Sequence, residues 1–171
     1  MSSNLYRFFL LLLLRCKPQD IPYSSQAAIY TAFAYVLTGV LVLQSTIQPA
    51  HVVQGMILGL FVQLVFTWAI LSSMQRQARF MQTITAILGV SMMFNLLSWP
   101  IFYGLADVPV GESVQQTMSL LFLLLISWEV LVKAYIYRYA MEIQMASALL
   151  LSLCLLFVSF ALTQMLLPQP A

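Results

Sequence analysis

Charged residues are scarce in this sequence: 7% of the residues are Asp, Glu, Lys or Arg, whereas 62% are hydrophobic. Soluble globular domains carry about 25% charged residues, so this chain has too few polar side chains to cover a surface that faces water. Lipid is therefore its expected solvent. The formal net charge of +2 is too small to indicate a nucleic-acid partner.

Side chains that could catalyse a reaction or hold a cofactor are also few. The two cysteines, Cys16 and Cys154, lie far apart and form no disulfide framework or metal-ligand pattern. His51 is the only histidine, and it has no Cys, Asp or Glu at ligand spacing. We find no GxSxG, HExxH, CxxC or phosphate-loop motif. The sequence therefore predicts no cofactor, no metal and no enzymatic activity.

Long apolar segments fill most of the chain instead. Five of them are close to the ~20 residues that an α-helix needs to cross the hydrocarbon core of a bilayer. We predict an all-α, polytopic bundle of five transmembrane helices in a single membrane domain. The predicted spans are about 25–43, 51–74, 80–99, 114–135 and 143–167, and Pro100 is expected to end or kink the third of them.

A shorter apolar run precedes the first span. Residues 4–15 are too few to cross a membrane, and residues 15–18 (RCKP) follow where a signal peptide would have a small-residue cleavage site. We expect a retained, amphipathic helix that lies in the membrane interface and is anchored by Arg7, Arg15 and Lys17.

The basic residues would all lie on one side of a five-span protein. Three precede the first span, two lie between the second and third, and two lie at or beyond the end of the fourth. Because cytoplasmic segments are enriched in Lys and Arg, we expect a cytoplasmic N-terminus and a C-terminus on the opposite side. The residues are Arg7, Arg15, Lys17, Arg76, Arg79, Lys133 and Arg138.

Glu129 and Lys133 interrupt the fourth span, where ionisable groups are costly and need a partner or a route to water. They are four residues apart with the acid first, the favourable order for an intrahelical ion pair. Glu129 could instead bond to Asn95, to Gln63 or to a partner protein, or the pair could form a proton- or ion-coupled transport site. Asn95 could make an interhelical hydrogen bond or line a substrate path.

Gly55 and Gly59 form a GxxxG sequence in the second span. Two helix backbones can approach closely at such a sequence. It is typical of packing within one bundle, and the alternative is a homodimer face.

Residues 15–24 (RCKPQDIPYS), between the short apolar run and the five spans, resemble the same stretch of small uncharacterised bacterial inner-membrane proteins. The layout is also similar to that of the Yip family, which has a cytoplasmic N-terminus, five spans, short loops and an outside C-terminus. This resemblance implies a scaffold protein with a periplasmic C-terminus. The acidic-Leu-Tyr-Gly-Pro and Gly-Tyr motifs of that family are not present, so no functional residues are transferred beyond residues 18–24.

These observations predict an integral membrane scaffold or accessory subunit that binds another membrane protein or a lipid and has no catalytic activity of its own. The alternative is a small transporter or channel that uses Glu129 and Asn95 as intramembrane polar groups. The expected contact residues on the cytoplasmic surface are Arg15, Lys17, Pro18, Gln19, Asp20, Pro22, Tyr23, Ser24, Arg76, Arg79 and Arg138.

Overall fold

A computed structural model describes residues 2–21, 23–46, 48–106 and 112–167. Pro22, one of the expected contact residues, lies outside the described residues. The described chain forms six α-helices and two short 3-10 turns, at Pro18–Asp20 and Gln77–Arg79, and contains no strand. The helices are α1 (Ser2–Leu12), α2 (Ser25–Ser45), α3 (Val52–Ser73), α4 (Phe80–Ala106), α5 (Glu112–Met141) and α6 (Met145–Leu166).

Helices α2 to α6 are each long and apolar enough to cross a membrane, which confirms the predicted all-α, multi-pass fold. They form a closed ring. Following the ring, α2 contacts α4, α4 contacts α5, α5 contacts α6, α6 contacts α3, and α3 contacts α2. Helices α3 and α4 also contact each other. The interior of the ring is therefore bordered by all five spanning helices.

Helix α4 is the most buried member of the ring. The apolar window of α4 is 61% buried, compared with 17–28% for the other four spanning helices. Its buried side includes the small residues Thr83, Ala86 and Gly89, and small side chains let neighbouring backbones come close. The hydroxyl of Thr83 donates to the Arg79 carbonyl at 2.8 Å, so this polar group is satisfied by the turn that precedes α4.

Helix α4 does not end at Pro100 but continues to Ala106. Proline removes one backbone donor, yet spanning helices tolerate it because local adjustments and neighbouring groups satisfy the freed carbonyl. Nearby, the Ser98 hydroxyl donates to the Asn95 carbonyl at 2.7 Å, so side-chain hydroxyls already supplement the backbone bonds of this segment.

Helix α1 packs along the outside of α4. Phe8, Leu11 and Leu12 are buried, and the Phe8 ring fills the space where a side chain on Gly89 would lie. Gly89 is nine residues from the start of α4, which places it about 14 Å along the helix axis. The side of α1 that faces away from the bundle is also apolar, since it exposes Leu5, Tyr6 and Phe9.

The carbonyl end of α1 is capped from within the bundle. Trp128 on α5 donates its indole N–H to the Leu12 carbonyl at 3.1 Å. The last carbonyls of a helix have no partner in their own helix, so this bond satisfies a group that lipid could not. Trp128 also packs edge-on against Phe94, with ring centroids 5.7 Å apart. Helix α1 is thus bonded to α5 as well as packed against α4.

The spanning helices differ in length. Helices α2, α3 and α6 have 21 or 22 residues, or ~32 Å each, whereas α4 has 27 and α5 has 30, or ~40 and ~45 Å at 1.5 Å per residue. The start of α4 and the end of α5 are held together by Arg79, which donates to the carbonyls of Tyr139 and Ala140. We call this the arginine end. The extra length of α4 and α5 therefore falls at the other end, which we call the hairpin end.

Candidate functional site

Polar side chains from the ring helices meet halfway between the two ends. Tyr35 is the middle residue of α2, a helix of 21 residues, and Gln63 is the twelfth of the 22 residues of α3. Asn95 comes from α4, and Glu129 and Lys133 come from α5. These positions lie within helices long and apolar enough to cross a membrane, where polar groups are costly unless they are bonded.

Glu129 and Lys133 form an ion pair across one turn of α5. The Lys133 ammonium lies 2.7 Å from Glu129 Oε1, with side-chain exposures of 13% and 27%. Ser91 on α4 donates to the same carboxylate oxygen at 3.2 Å. The pair therefore neutralises its own charge inside the bundle and links α5 to α4. Glu129 shows no hydrogen bond to Asn95 or Gln63, both of which lie in the described part of the chain.

Gln63 and Tyr35 join α3 to α2. The Gln63 side-chain amide donates to the Tyr35 hydroxyl at 3.2 Å, and both side chains are buried. Within the described residues, Gln63 Oε1 has no hydrogen-bond partner. A buried amide group without a partner costs about 1–3 kcal/mol, so this side chain retains an unused capacity to accept a hydrogen bond.

Asn95 joins α4 to α2. Its amide donates to the Tyr35 carbonyl at 3.2 Å and approaches Thr38 Oγ1 at 3.5 Å. This approach depends on Gly39, because a Cβ at that position would lie 3.1 Å from Asn95 Nδ2 and would overlap the Met56 side chain. The interhelical bond is one of the two roles that the sequence left open for Asn95.

These side chains border a cavity of two adjoining chambers, each of which is partly open to the outside of the bundle. The polar chamber has a volume of about 210 Å³ and includes Tyr35, Gln63, Lys133, Ser152 and Ser159 in its lining. The adjoining apolar chamber has a volume of about 270 Å³ and includes Phe94, Phe102, Phe122 and Leu125. Asn95, Glu129 and Leu156 line both chambers. Among the described residues, no group of three His, Cys, Asp or Glu side chains could hold a metal ion.

The structure thus brings together four residues that the sequence had singled out: Gln63, Asn95, Glu129 and Lys133 all line the polar chamber. Sequence reasoning missed Tyr35, which contacts both amide side chains. The available signal was its place at the centre of an apolar span.

The two glycines of the GxxxG sequence face the molecule's own side chains. A Cβ on Gly59 would lie 3.2 Å from the Tyr35 hydroxyl, and one on Gly55 would lie 3.9 Å from Leu167. Gly59 therefore lets α3 approach α2 beside the polar chamber. Among the glycines that the structure describes, the closest approaches occur elsewhere, at Gly39 and Gly89.

At the arginine end, Glu142 binds two guanidinium groups, those of Arg76 at 2.7 Å and Arg79 at 2.8 Å. The hydrogen bonds from Arg76 and Arg79 lower the pKa of Glu142 to about 2 from an ordinary value of 4.5. A carboxyl group whose pKa is lower in the folded state than in the unfolded state stabilises the fold at pH values above its ordinary pKa. This stabilisation by Glu142 is lost as the pH falls from about 4.5 towards 2. The network ties the α3–α4 turn to the α5–α6 turn.

Tyr139 is the centre of a second cluster at the arginine end. The Lys17 ammonium lies 5.5 Å from the centroid of the Tyr139 ring, and the Arg138 guanidinium lies 5.6 Å from it. The side-chain amide of Gln19 donates to the Tyr139 carbonyl at 3.4 Å. Cations held over an aromatic face are attracted to it, so the segment before α2 is fastened to the end of α5.

Asp20 orders the turn that precedes α2. The Lys17 backbone N–H donates to Asp20 Oδ2 at 2.9 Å, and Arg7 donates to the Asp20 carbonyl at 2.8 Å. The bond from Lys17 lowers the pKa of Asp20. Pro18 is buried, whereas Arg15 and Tyr23 are exposed, and Ser24 accepts a hydrogen bond from the Ala27 N–H at the start of α2. Most of the expected contact residues that the structure describes are therefore engaged within the molecule.

Comparison with known proteins gave no matching protein-family model, no matching curated protein and no matching solved structure. The resemblance to the Yip family therefore depends on the five-span layout alone.

Proposed function

We propose that this multi-pass membrane protein is a scaffold or accessory subunit without catalytic activity, and that it binds another membrane protein through its hairpin end. We further propose that it resides in a bacterial inner membrane with the arginine end in the cytoplasm. The hairpin end and the C-terminus then face the periplasm, as the distribution of Lys and Arg favours.

The observation that supports this proposal is the exposure of the hairpin end. The described residues 113–117 of α5 are all exposed, as are Trp99 and Tyr103 on α4, which are 48% and 62% exposed. Large aromatic side chains of this kind are enriched in protein interfaces. The hairpin end thus offers a contact surface that the chain does not itself cover within the described residues.

The surface combines polar and apolar groups in one open groove on α5, lined by Gln115, Gln116, Ser119, Leu120 and Leu123. No hydrogen bond among the described residues involves the side-chain amides of Gln115 or Gln116. Side-chain amides form hydrogen bonds between spanning helices, so a helix of a partner protein fits this groove better than lipid does.

Site-specific photo-cross-linking in cells tests the proposal. A benzophenone amino acid would replace Leu120, which is 63% exposed in the groove, or Leu150, which is 68% exposed on α6. We expect a discrete protein adduct from position 120 and only lipid adducts from position 150. An absence of protein adducts at position 120, or the same adducts at both positions, would refute the proposal.

A small transporter or channel is the second candidate, because Glu129 and Asn95 line a cavity inside the helix ring. Flux in proteoliposomes tests this function. The transport hypothesis predicts that the wild-type protein conducts protons or a solute and that Glu129→Gln does not. Equal flux through both proteins, or flux through neither, contradicts it.

A further inference from the structure

We propose that the two-chamber cavity is a binding site for an uncharged amphiphile, with its hydrogen-bonding head in the polar chamber and its hydrocarbon tail in the apolar chamber. The class includes long-chain alcohols, isoprenoid alcohols and quinones, which share a neutral polar head and an apolar chain. The site lies inside the helix ring and is separate from the groove at the hairpin end.

The polar chamber favours a head without net charge. Its two ionised side chains already neutralise each other, with Glu129 and Lys133 held 2.7 Å apart. A carboxylate or ammonium head would have to separate this pair or remain uncompensated in a low-dielectric interior, and both are costly. A hydroxyl or carbonyl head avoids this cost.

The same chamber supplies hydrogen-bonding groups to such a head. Gln63 and Tyr35 both line the chamber. Gln63 is 5% exposed, and its Oε1 has no partner among the described residues but is enclosed by protein, so a head reaches the Gln63 amide only when this side chain turns towards the chamber. Because the oxygen and nitrogen of a side-chain amide can exchange places by a flip, Gln63 can offer an acceptor or a donor. It can therefore bind either a hydroxyl or a carbonyl head.

The apolar chamber fits a hydrocarbon chain. Phe102 and Phe122 pack against each other with ring centroids 5.2 Å apart, and both line the chamber. Phe122 precedes Glu129 by seven residues on α5, or about 10 Å along the axis. A tail that extends from the Glu129–Lys133 pair towards the hairpin end therefore meets aromatic rings along this distance. Apolar lining with a few convergent polar groups is the usual composition of a ligand site.

Photoaffinity labelling of the purified full-length protein in lipid nanodiscs tests the site. The probe is a long-chain alcohol with a diazirine in its chain, and the matching carboxylic acid and amine serve as charged probes. We expect the alcohol to label the segment around Phe102 and Phe122 and to label it about tenfold more than either charged probe does, a ratio that corresponds to 1.4 kcal/mol. Competition by an unlabelled isoprenoid alcohol in one arm and a quinone in another identifies the head chemistry that the site prefers.

Two variants and one control locate the binding. Gln63→Leu removes the hydrogen bonds to the head, and Phe122→Trp fills the apolar chamber, so each should lower labelling about tenfold. Phe157→Trp is the matched control, because Phe157 is 66% exposed on the lipid-facing side of α6, and it should label like the wild type. Folding of each variant is checked by its thermal transition, and Phe122→Trp decides the outcome if Gln63→Leu does not fold.

Equal labelling by alcohol, acid and amine would overturn the proposal. Labelling that is spread over exposed residues, or that is unaffected by Phe122→Trp, would overturn it too. These results leave the hairpin-end proposal untouched, because cross-linking from position 120 reports on a surface outside the ring.

Discussion

Removing one member of the Glu129–Lys133 pair should destabilise the protein far more than removing both. Lys133→Met leaves a carboxylate without its counter-ion inside the ring, whereas the double variant Glu129→Gln/Lys133→Met leaves no charge there. The structure therefore predicts that the second substitution rescues the first.

The magnitude follows from the burial of the two side chains. Both are less than a third exposed, with Lys133 at 13% and Glu129 at 27%. Removal of one partner from a buried pair costs about 3–5 kcal/mol. We expect about 3 kcal/mol for Lys133→Met, the lower end of that range, because Ser91 still donates to Glu129 at 3.2 Å. The double variant should lie within about 1 kcal/mol of the wild type.

Equilibrium unfolding in mixed micelles, followed by tryptophan fluorescence, measures these differences. The two single variants and the double variant form a thermodynamic cycle, which isolates the interaction between the two side chains. Single variants as stable as the wild type, or a double variant whose loss equals the sum of the single losses, would refute the assignment of a buried ion pair.

Three further predictions concern other contacts, and the same unfolding assay measures each of them. Glu142→Gln should lower stability near neutral pH and reduce the loss of stability expected for the wild type between about pH 4.5 and 2; an unchanged pH profile would contradict the two-arginine network. Gly89→Ala should cost about 1–3 kcal/mol through overpacking and should be partly rescued by Phe8→Ala, whereas a tolerated alanine would show that α1 does not pack there. Asn95→Ala should cost about 0.6 kcal/mol, the average for hydrogen bonds between spanning helices, and a loss several times larger would mean that the bond to Tyr35 is not its main role.

The fold class followed from the length of the apolar runs, since α2, α3 and α6 each coincide broadly with one uninterrupted run. The lengths of α4 and α5 did not follow. A proline such as Pro100 reads as a helix end in water, yet α4 continues past it. Hydropathy also does not show where a long helix stops, so the extra length of α4 and α5 at the hairpin end was not predicted.

The intramembrane residues were partly predictable. Glu129 and Lys133 stand out because charge is rare in an apolar span, and their spacing alone allowed the ion pair. Gln63 and Asn95 stand out for their polarity. Tyr35 could not be assigned to the cavity, because the direction of a side chain around a uniformly apolar helix is set by tertiary packing. The close approach at Gly39 depends on packing in the same way.

The arginine end illustrates a different limit. The positions of Arg76, Arg79 and Arg138 predicted that they lie on the cytoplasmic side, but not what they bind. The structure shows that Glu142, three residues after Tyr139 in the chain, binds both Arg76 and Arg79. An ion pair between residues of two separate turns cannot be predicted from the local sequence of either turn.

The topology on which the whole account depends can be measured with paired reporters fused after Ala171. Five crossings with the arginine end in the cytoplasm place that terminus in the periplasm, so an alkaline phosphatase fusion should be active and a green fluorescent protein fusion should be dark. A fluorescent C-terminal fusion together with an inactive phosphatase would contradict the account.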